Sequence, residues 1–357
     1  MHSAKHLSIF NHKGGVGKTT ITVNVSMSLA KRRRRVLLVD SDPQCNLTAY
    51  LLKDDTVDRL LDKSDSPNGE TLWSAVRPVV NGIGPPKLVQ PQKIRQDVYL
   101  IPGDIRMTEF EEFLFDSWTD CFKRRIGAIQ ATSCISQVVE AAAEELGADY
   151  VFYDTGPNIG ALNRVLLLDS DHFIIPVACD LFSARALRTL GQTLRTWIID
   201  WETITTIAPA GALLLPGKPH FLGYIPQRFK TYGREMGAIP RQFLRNIQRR
   251  MYSDIMRELR EVDESLSGDN VANCLLEQVM EYGRIVTVAQ KKGKPISEIR
   301  SVNEDHRLDA STTFSTMADN IARLAGGTLG TGKVARPSKS LRSKKVSGRG
   351  RGRSRGR

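Results

Sequence analysis

Residues 12–20 read His-Lys-Gly-Gly-Val-Gly-Lys-Thr-Thr, set between an apolar strand candidate, Leu7–Asn11, and a helix that begins at Lys18 and reaches about Lys31. No other stretch narrows the possible folds so far. Glycines at 14, 15 and 17 let backbone N–H groups converge on oxygens, and the helix N-terminus behind them adds positive potential. Lys18 is placed to reach β/γ-phosphates, and the Thr19 hydroxyl to ligate Mg2+. Gly14, Gly15, Val16, Gly17, Lys18, Thr19 and Thr20 are therefore the candidates for phosphate and cofactor contact. The usual GxxxxGK[ST] spacing asks for glycine at position 12, where this chain has His12. A second lysine, Lys13, stands directly before the glycine pair.

The rest of the chain repeats the strand-then-helix pattern. Val36–Asp40 (VLLVD), Val98–Pro102, Tyr150–Asp154 (YVFYD) and Phe173–Val177 are short continuous apolar runs of the kind buried parallel strands show, and Ala212–Leu215 and Phe221–Ile225 extend the series. Between them, Ile135–Leu146 carries Val138, Val139, Ala142 and Leu146, with Ser133 as a candidate N-cap. Phe314, Met317, Ile321 and Leu324 share one helical face that Gly326-Gly327 brings to a stop. The alternation predicts an α/β fold, a doubly wound, mostly parallel sheet flanked by helices with active loops at the strands' C-terminal ends, and the phosphate loop at 12–20 makes the expected fold a P-loop NTPase. One such domain is expected over 1–330, with 54–97 as a surface insertion, because Asp54–Pro91 is rich in Pro, Gly and Asp.

The formal net charge of +12 belongs to the end of the chain. Residues 333–357 hold eleven Lys or Arg and no acid, which leaves 40 basic against 39 acidic residues in 1–332. Residues 331–357 read as a disordered Arg/Gly-rich basic tail, with almost nothing apolar to bury. Arg349, Arg351, Arg353, Arg355 and Arg357 suit sequence-independent contact with nucleic-acid phosphates. No apolar run reaches the roughly 18 residues of a spanning helix, and 333–357 offers only Val334, Ala335, Leu341 and Val346 toward an amphipathic membrane helix, so no membrane partner is expected. The start leads straight into a strand-like segment rather than a leader. The five cysteines form no CxxC pair, which points to free thiols in a reducing compartment.

The KGGVGKTT form resembles the deviant Walker A motif of the ParA/MinD family of ATPases, closest to the ParA type, and the resemblance extends over about 5–325. VLLVDSDPQCNLT (36–48) is similar to that family's VLLVDxDPQGNxT, with Cys45 at the glycine position. DYVFYDTGPNIG (149–160) is similar to its DYxxxDTPPSLG switch, with Gly156 and Asn158 substituted. Tyr99–Glu111 and AQKKGKPI (289–296) resemble two further segments. The resemblance implies ATP and Mg2+ as cofactors and an ATP hydrolase that is slow until a partner stimulates it. It implies that Lys13 crosses an ATP-dependent homodimer to the partner's phosphates, that Asp42 orients the attacking water near the metal, and that Asp154 holds Mg2+ through water. Asp40 is open to two readings, a role beside these carboxylates or the cap of a turn. The family's proline-containing base-side segment has no counterpart in Met280–Arg284, so Gln227 and Arg228, after FLGYI, stand as the base-side candidates.

Arg241, Arg245 and Arg249 recur every four residues, which places three guanidiniums on one helical face. Members of the resembled family bind DNA nonspecifically through basic residues in this half of the fold, while a solvated face would carry the same spacing. The functional expectation is an ATP-switched, DNA-binding ATPase of plasmid or chromosome partition or cargo positioning, with a ParB-like or other activating partner. It would be cytoplasmic, bacterial and nucleoid-associated. The alternative is a nucleic-acid-bound regulatory or defence-type switch on the same core that moves no cargo.

Overall fold

The computed structural model describes residues 3–229, 231–232, 235–236, 238–300 and 304–326. The chain runs β1 (Lys5–Ile9), α1 (Lys18–Ala30), β2 (Val36–Asp40), α2 (Asn46–Leu51), α3 (Asp54–Asp62), α4 (Leu72–Val80), β3 (Gln92–Arg95), β4 (Val98–Ile101), α5 (Met107–Cys121) and α6 (Ile126–Leu146). It continues β5 (Tyr150–Asp154), α7 (Ala161–Asp169), β6 (His172–Ala178), α8 (Leu181–Ile207), β7 (His220–Phe229), a small hairpin of β8 (Thr231–Tyr232) and β9 (Glu235–Met236), and α9 (Ala238–Arg250). After the short α10 (Arg257–Arg260) come β10 (Val279–Met280), α11 (Arg284–Lys291) and α12 (Glu304–Leu324).

Eight strands form one sheet in the order β10-β7-β6-β1-β5-β2-β4-β3, with only β3 antiparallel to its neighbour. Successive strand side chains face opposite sides, so both faces must be covered to satisfy runs such as VLLVD. Leu37 and Val39 enter the core under α4–α8, while Val36 and Leu38 enter the core under α1, α11 and α12. That double burial is the physical source of the unbroken apolar runs. The face of α12 expected from Phe314, Met317 and Ile321 is buried against α1. Among the described residues no helix is long and apolar enough to cross a membrane.

Three local expectations are corrected. The helix expected to start at Ile135 begins at Ile126, and Ser133 lies inside it, its hydroxyl donating to the Ile129 carbonyl at 3.2 Å. Ala212–Leu215 forms no strand, because the chain from α8 to β7 crosses there as an irregular connection. The 54–97 segment is more than a surface excursion. Its helix α4 buries Leu72, Trp73, Ala75 and Val76 in the core and starts at a Thr71/Ser74 capping box, and β3 extends the sheet edge.

Candidate active site

The strand order brings three C-terminal strand ends abreast. Ile9 pairs with Asp154, and Asp154 with Asp40. The loop leaving β1 turns into α1 through Gly15 and Gly17, both at positive φ (71° and 78°), a region that favours glycine. A Cβ on Gly17 would also collide with the Gln227 amide. Lys18 is buried in the first turn of α1, its Nζ donating to the Asn11 carbonyl at 3.0 Å. Burial lowers its pKa, opposed by the charges of Asp154 and Asp42.

Asp154 is fully enclosed at the end of β5. It accepts the Thr19 hydroxyl at 2.7 Å and the Thr22 hydroxyl at 3.3 Å. Burial pushes its carboxyl up to about 6, with Asp42 reinforcing the rise and Thr19 and Lys18 opposing it. Asp42, just past β2, is buried and accepts the Gln44 N–H at 2.9 Å. Asp40 takes the capping role. Its Oδ2 accepts the Thr48 N–H and hydroxyl at 2.7 and 2.6 Å, and Thr48 accepts the Gly103 N–H at 2.8 Å. Burial, with the charge of Asp154, pushes the Asp40 carboxyl up to about 8. Cys45, the N-cap of α2, holds the positive φ of 52° at the position where the resembled family has glycine.

A cavity of about 1370 Å³ opens in front of this loop. Gly14 to Thr20, Asp42 and Gln227 line its phosphate end. Gln227 is 4% exposed, its amide lies against Gly17, and its Nε2 is a buried donor without a partner among the described residues. The far wall comes from Tyr50–Leu52 on one side and Val279, Met280, Tyr282 and Val286 on the other. The sequence aligns Met280–Arg284 with the base side but gives it no contact, because β10 is two residues long and leaves no periodic signal, and Tyr50–Leu52 carries no signal of this role. The oxygen donors of Thr19, Asp154 and Asp42, beside a phosphate cradle, suit a hard cation that keeps several of its waters.

Lys13 is absent from the lining of this cavity. Its Nζ donates to both Asp180 carboxylate oxygens, at 2.8 and 2.7 Å, and to the Ser183 hydroxyl at 2.9 Å. Asp180 is also the N-cap of α8, accepting the Ser183 N–H at 2.8 Å. Its partial burial raises its pKa, but Lys13 and Ser183 hold it below the usual carboxylate value. Asn163 and Glu111 secure the loop after β5: Asn163 Nδ2 donates to the Gly156 and Asn158 carbonyls at 3.0 Å, and Asn158 Nδ2 donates to Glu111 at 3.3 Å.

The helix expected around Arg241, Arg245 and Arg249 is α9, and Arg245 and Arg249 are exposed on it. The side chains of Arg228 and Arg241, and the whole of 327–357 with Arg349, Arg351, Arg353, Arg355 and Arg357, lie outside the described residues.

A family model described as an AAA domain matches residues 4–203. A putative replication protein A of Rhizobium rhizogenes is 33% identical over 171 residues, 48% of this chain and 39% of that protein. The chromosome partitioning protein ParA of Myxococcus xanthus is 30% identical over 191 residues, 53% of this chain and 57% of that protein. The matched segment thus spans about half or less of these relatives. Among solved structures, protein DIP2308 of Corynebacterium diphtheriae superposes with a TM-score of 0.67 at 24% identity, covering 90% of this chain and 98% of its own.

Proposed function

This chain belongs to the ParA/MinD family of P-loop ATPases, and from that premise we propose that it is an ATP-dependent dimerising, DNA-binding ATPase of the partition or cargo-positioning type. The observation that carries the reading is the division of labour between two lysines. Lys18 sits in the phosphate cradle, whereas Lys13 stands outside the cavity on its own chain. Once released from Asp180 and Ser183, which hold it here, that cation would reach a second copy's phosphates and neutralise charge that develops during phosphoryl transfer.

On this reading Gly14–Thr20 cradle ATP, Gln227 donates its Nε2, unpartnered among the described residues, to the nucleotide, and Arg228, next in sequence, is the second base-side candidate. Thr19, Asp42 and Asp154 would hold Mg2+, which supplies charge neutralisation at the phosphates. Asp42 orients the attacking water. The α9 face (Arg241, Arg245, Arg249) contacts DNA phosphates when the dimer forms, and the tail adds salt-sensitive affinity. A ParB-like or other partner would accelerate turnover, and the protein would work on the nucleoid in the cytoplasm.

The deciding experiment is DNA pelleting with ATP, with ADP, and without nucleotide. Pelleting that needs ATP and is lost in Lys13→Ala supports the reading. Equal pelleting in all three conditions overturns the ATP switch, and no pelleting in any overturns DNA as the partner.

A further inference from the structure

Next to the nucleotide cavity, on the far side of the 291–294 loop, lies a second cavity of about 670 Å³. Its wall carries Lys292, Lys294, Arg300 and Arg307, with Glu298 as the one acid. Glu298 is already occupied. It accepts the Arg95 guanidinium at 3.0 and 3.1 Å, and the Lys31 ammonium lies 3.7 Å away. Among the described residues Arg307 pairs only with the exposed Glu304, at 2.9 Å. Lys292, Lys294 and Arg300 are exposed and form no ion pair among the described residues. Among the described residues, four cations thus line a concave site whose one carboxylate is neutralised from behind.

The wall is also held in shape. Gly293 adopts a positive φ of 59°, and a Cβ there would lie 3.3 Å from the Tyr50 carbonyl. The Tyr50 hydroxyl donates to the Lys294 carbonyl at 3.2 Å, and Asn24 accepts the Ile296 N–H at 2.9 Å. Pro295 and Ile296 are buried beneath. A row of cations on a loop anchored at three points presents charge without a large ordering cost on binding.

We propose that this cavity is a second phosphate-binding site, taking backbone phosphates of nucleic acid at a place separate from the α9 arginines. The assignment rests on the nucleic-acid reading given above and adds a site to it. Lys292 lines both cavities, so the site adjoins the nucleotide cavity rather than lying at a distance from it.

The test compares the intact chain with a Lys294→Gln/Arg300→Gln/Arg307→Gln variant, three side chains outside the nucleotide cavity. Duplex affinity is measured over a salt series with ATP present, and ATP affinity is measured alongside as the check on folding. Losing three phosphate contacts should make the log–log salt slope shallower by about 3, with ATP affinity unchanged. Arg245→Gln/Arg249→Gln serves as the parallel variant. If the intact chain binds duplex and the triple variant keeps its slope, the second site is wrong while the nucleic-acid reading stands. If the intact chain shows no salt-sensitive duplex binding, that reading falls and takes this one with it. Inorganic triphosphate is titrated into the ATP-saturated chain as a further arm. Binding that disappears in the triple variant, together with an unchanged duplex slope, would make the site one for free polyphosphate and overturn nucleic acid as its ligand.

Discussion

Asp180→Asn should make the ATP-dependent dimer tighter. On the proposed reading Lys13 cannot reach a partner's phosphates while its ammonium lies between both Asp180 oxygens and Ser183, so each protomer would have to break that contact on dimerising. The side chains are 32% and 42% exposed, which limits the pair to about 1 kcal/mol. Two copies open together, so removing the charge should favour association by about 2 kcal/mol, or roughly 30-fold in dissociation constant. Asparagine isolates the charge, because it caps helices as well as aspartate does and can keep the bond from the Ser183 N–H that starts α8. The assay is sedimentation velocity over a protein dilution series with a non-hydrolysed ATP analogue, beside a nucleotide titration under conditions where the chain is monomeric. An unchanged or weaker dimer, with helicity and monomer ATP affinity intact, would refute the idea that Lys13 leaves Asp180 to cross the interface.

The two lysines should fail differently: Lys18→Ala should weaken ATP binding by about 100-fold, the size of a lost charge-assisted contact, while Lys13→Ala should bind ATP normally and fail to dimerise, as light scattering beside a nucleotide titration would show. Asp42→Ala should slow turnover by about 100-fold and lengthen residence on DNA after dilution. Normal turnover in that variant would move the catalytic role elsewhere. His6, on the opposite end of the sheet, gives a pH test independent of function. Burial alone would lower its pKa, but Asp169 and Glu140, 3.5 and 3.2 Å from the ring nitrogens, raise it to about 9. The stabilisation is present in full below the unfolded value near 6.5 and is lost as pH rises through about 9. His6→Gln should therefore cost about 3 kcal/mol in urea unfolding at pH 6 and much less at pH 10.

What could be read from the chain, and what could not, divides along a physical line. Strand-end carboxylates were legible because Asp40 and Asp154 each close an unbroken apolar run, and such runs in an α/β chain are buried strands whose C-terminal ends carry the chemistry. Helix α4 was not, because its nine residues include Pro78 and sit among turn formers, although Trp73 and Val76 are core. The start of α6 was hidden in the same way, since Gly127, Thr132 and Ser133 suggest a cap where the structure continues the helix. Lys13 shows the sharper limit. An Asp just before a helix reads as an N-cap, and Asp180 is one. Nothing in the local pattern says that it also binds a lysine 167 residues away. That contact follows from sheet order: β6 lies beside β1, with Ile174 paired to Ile9, so the helix after β6 must start next to the loop after β1. Residue chemistry thus specified which side chains were unusual, while the crossover between non-consecutive strands decided which of them meet. The lysine that motif reasoning singled out for a partner's phosphates is held meanwhile by a residue that only topology could have placed there.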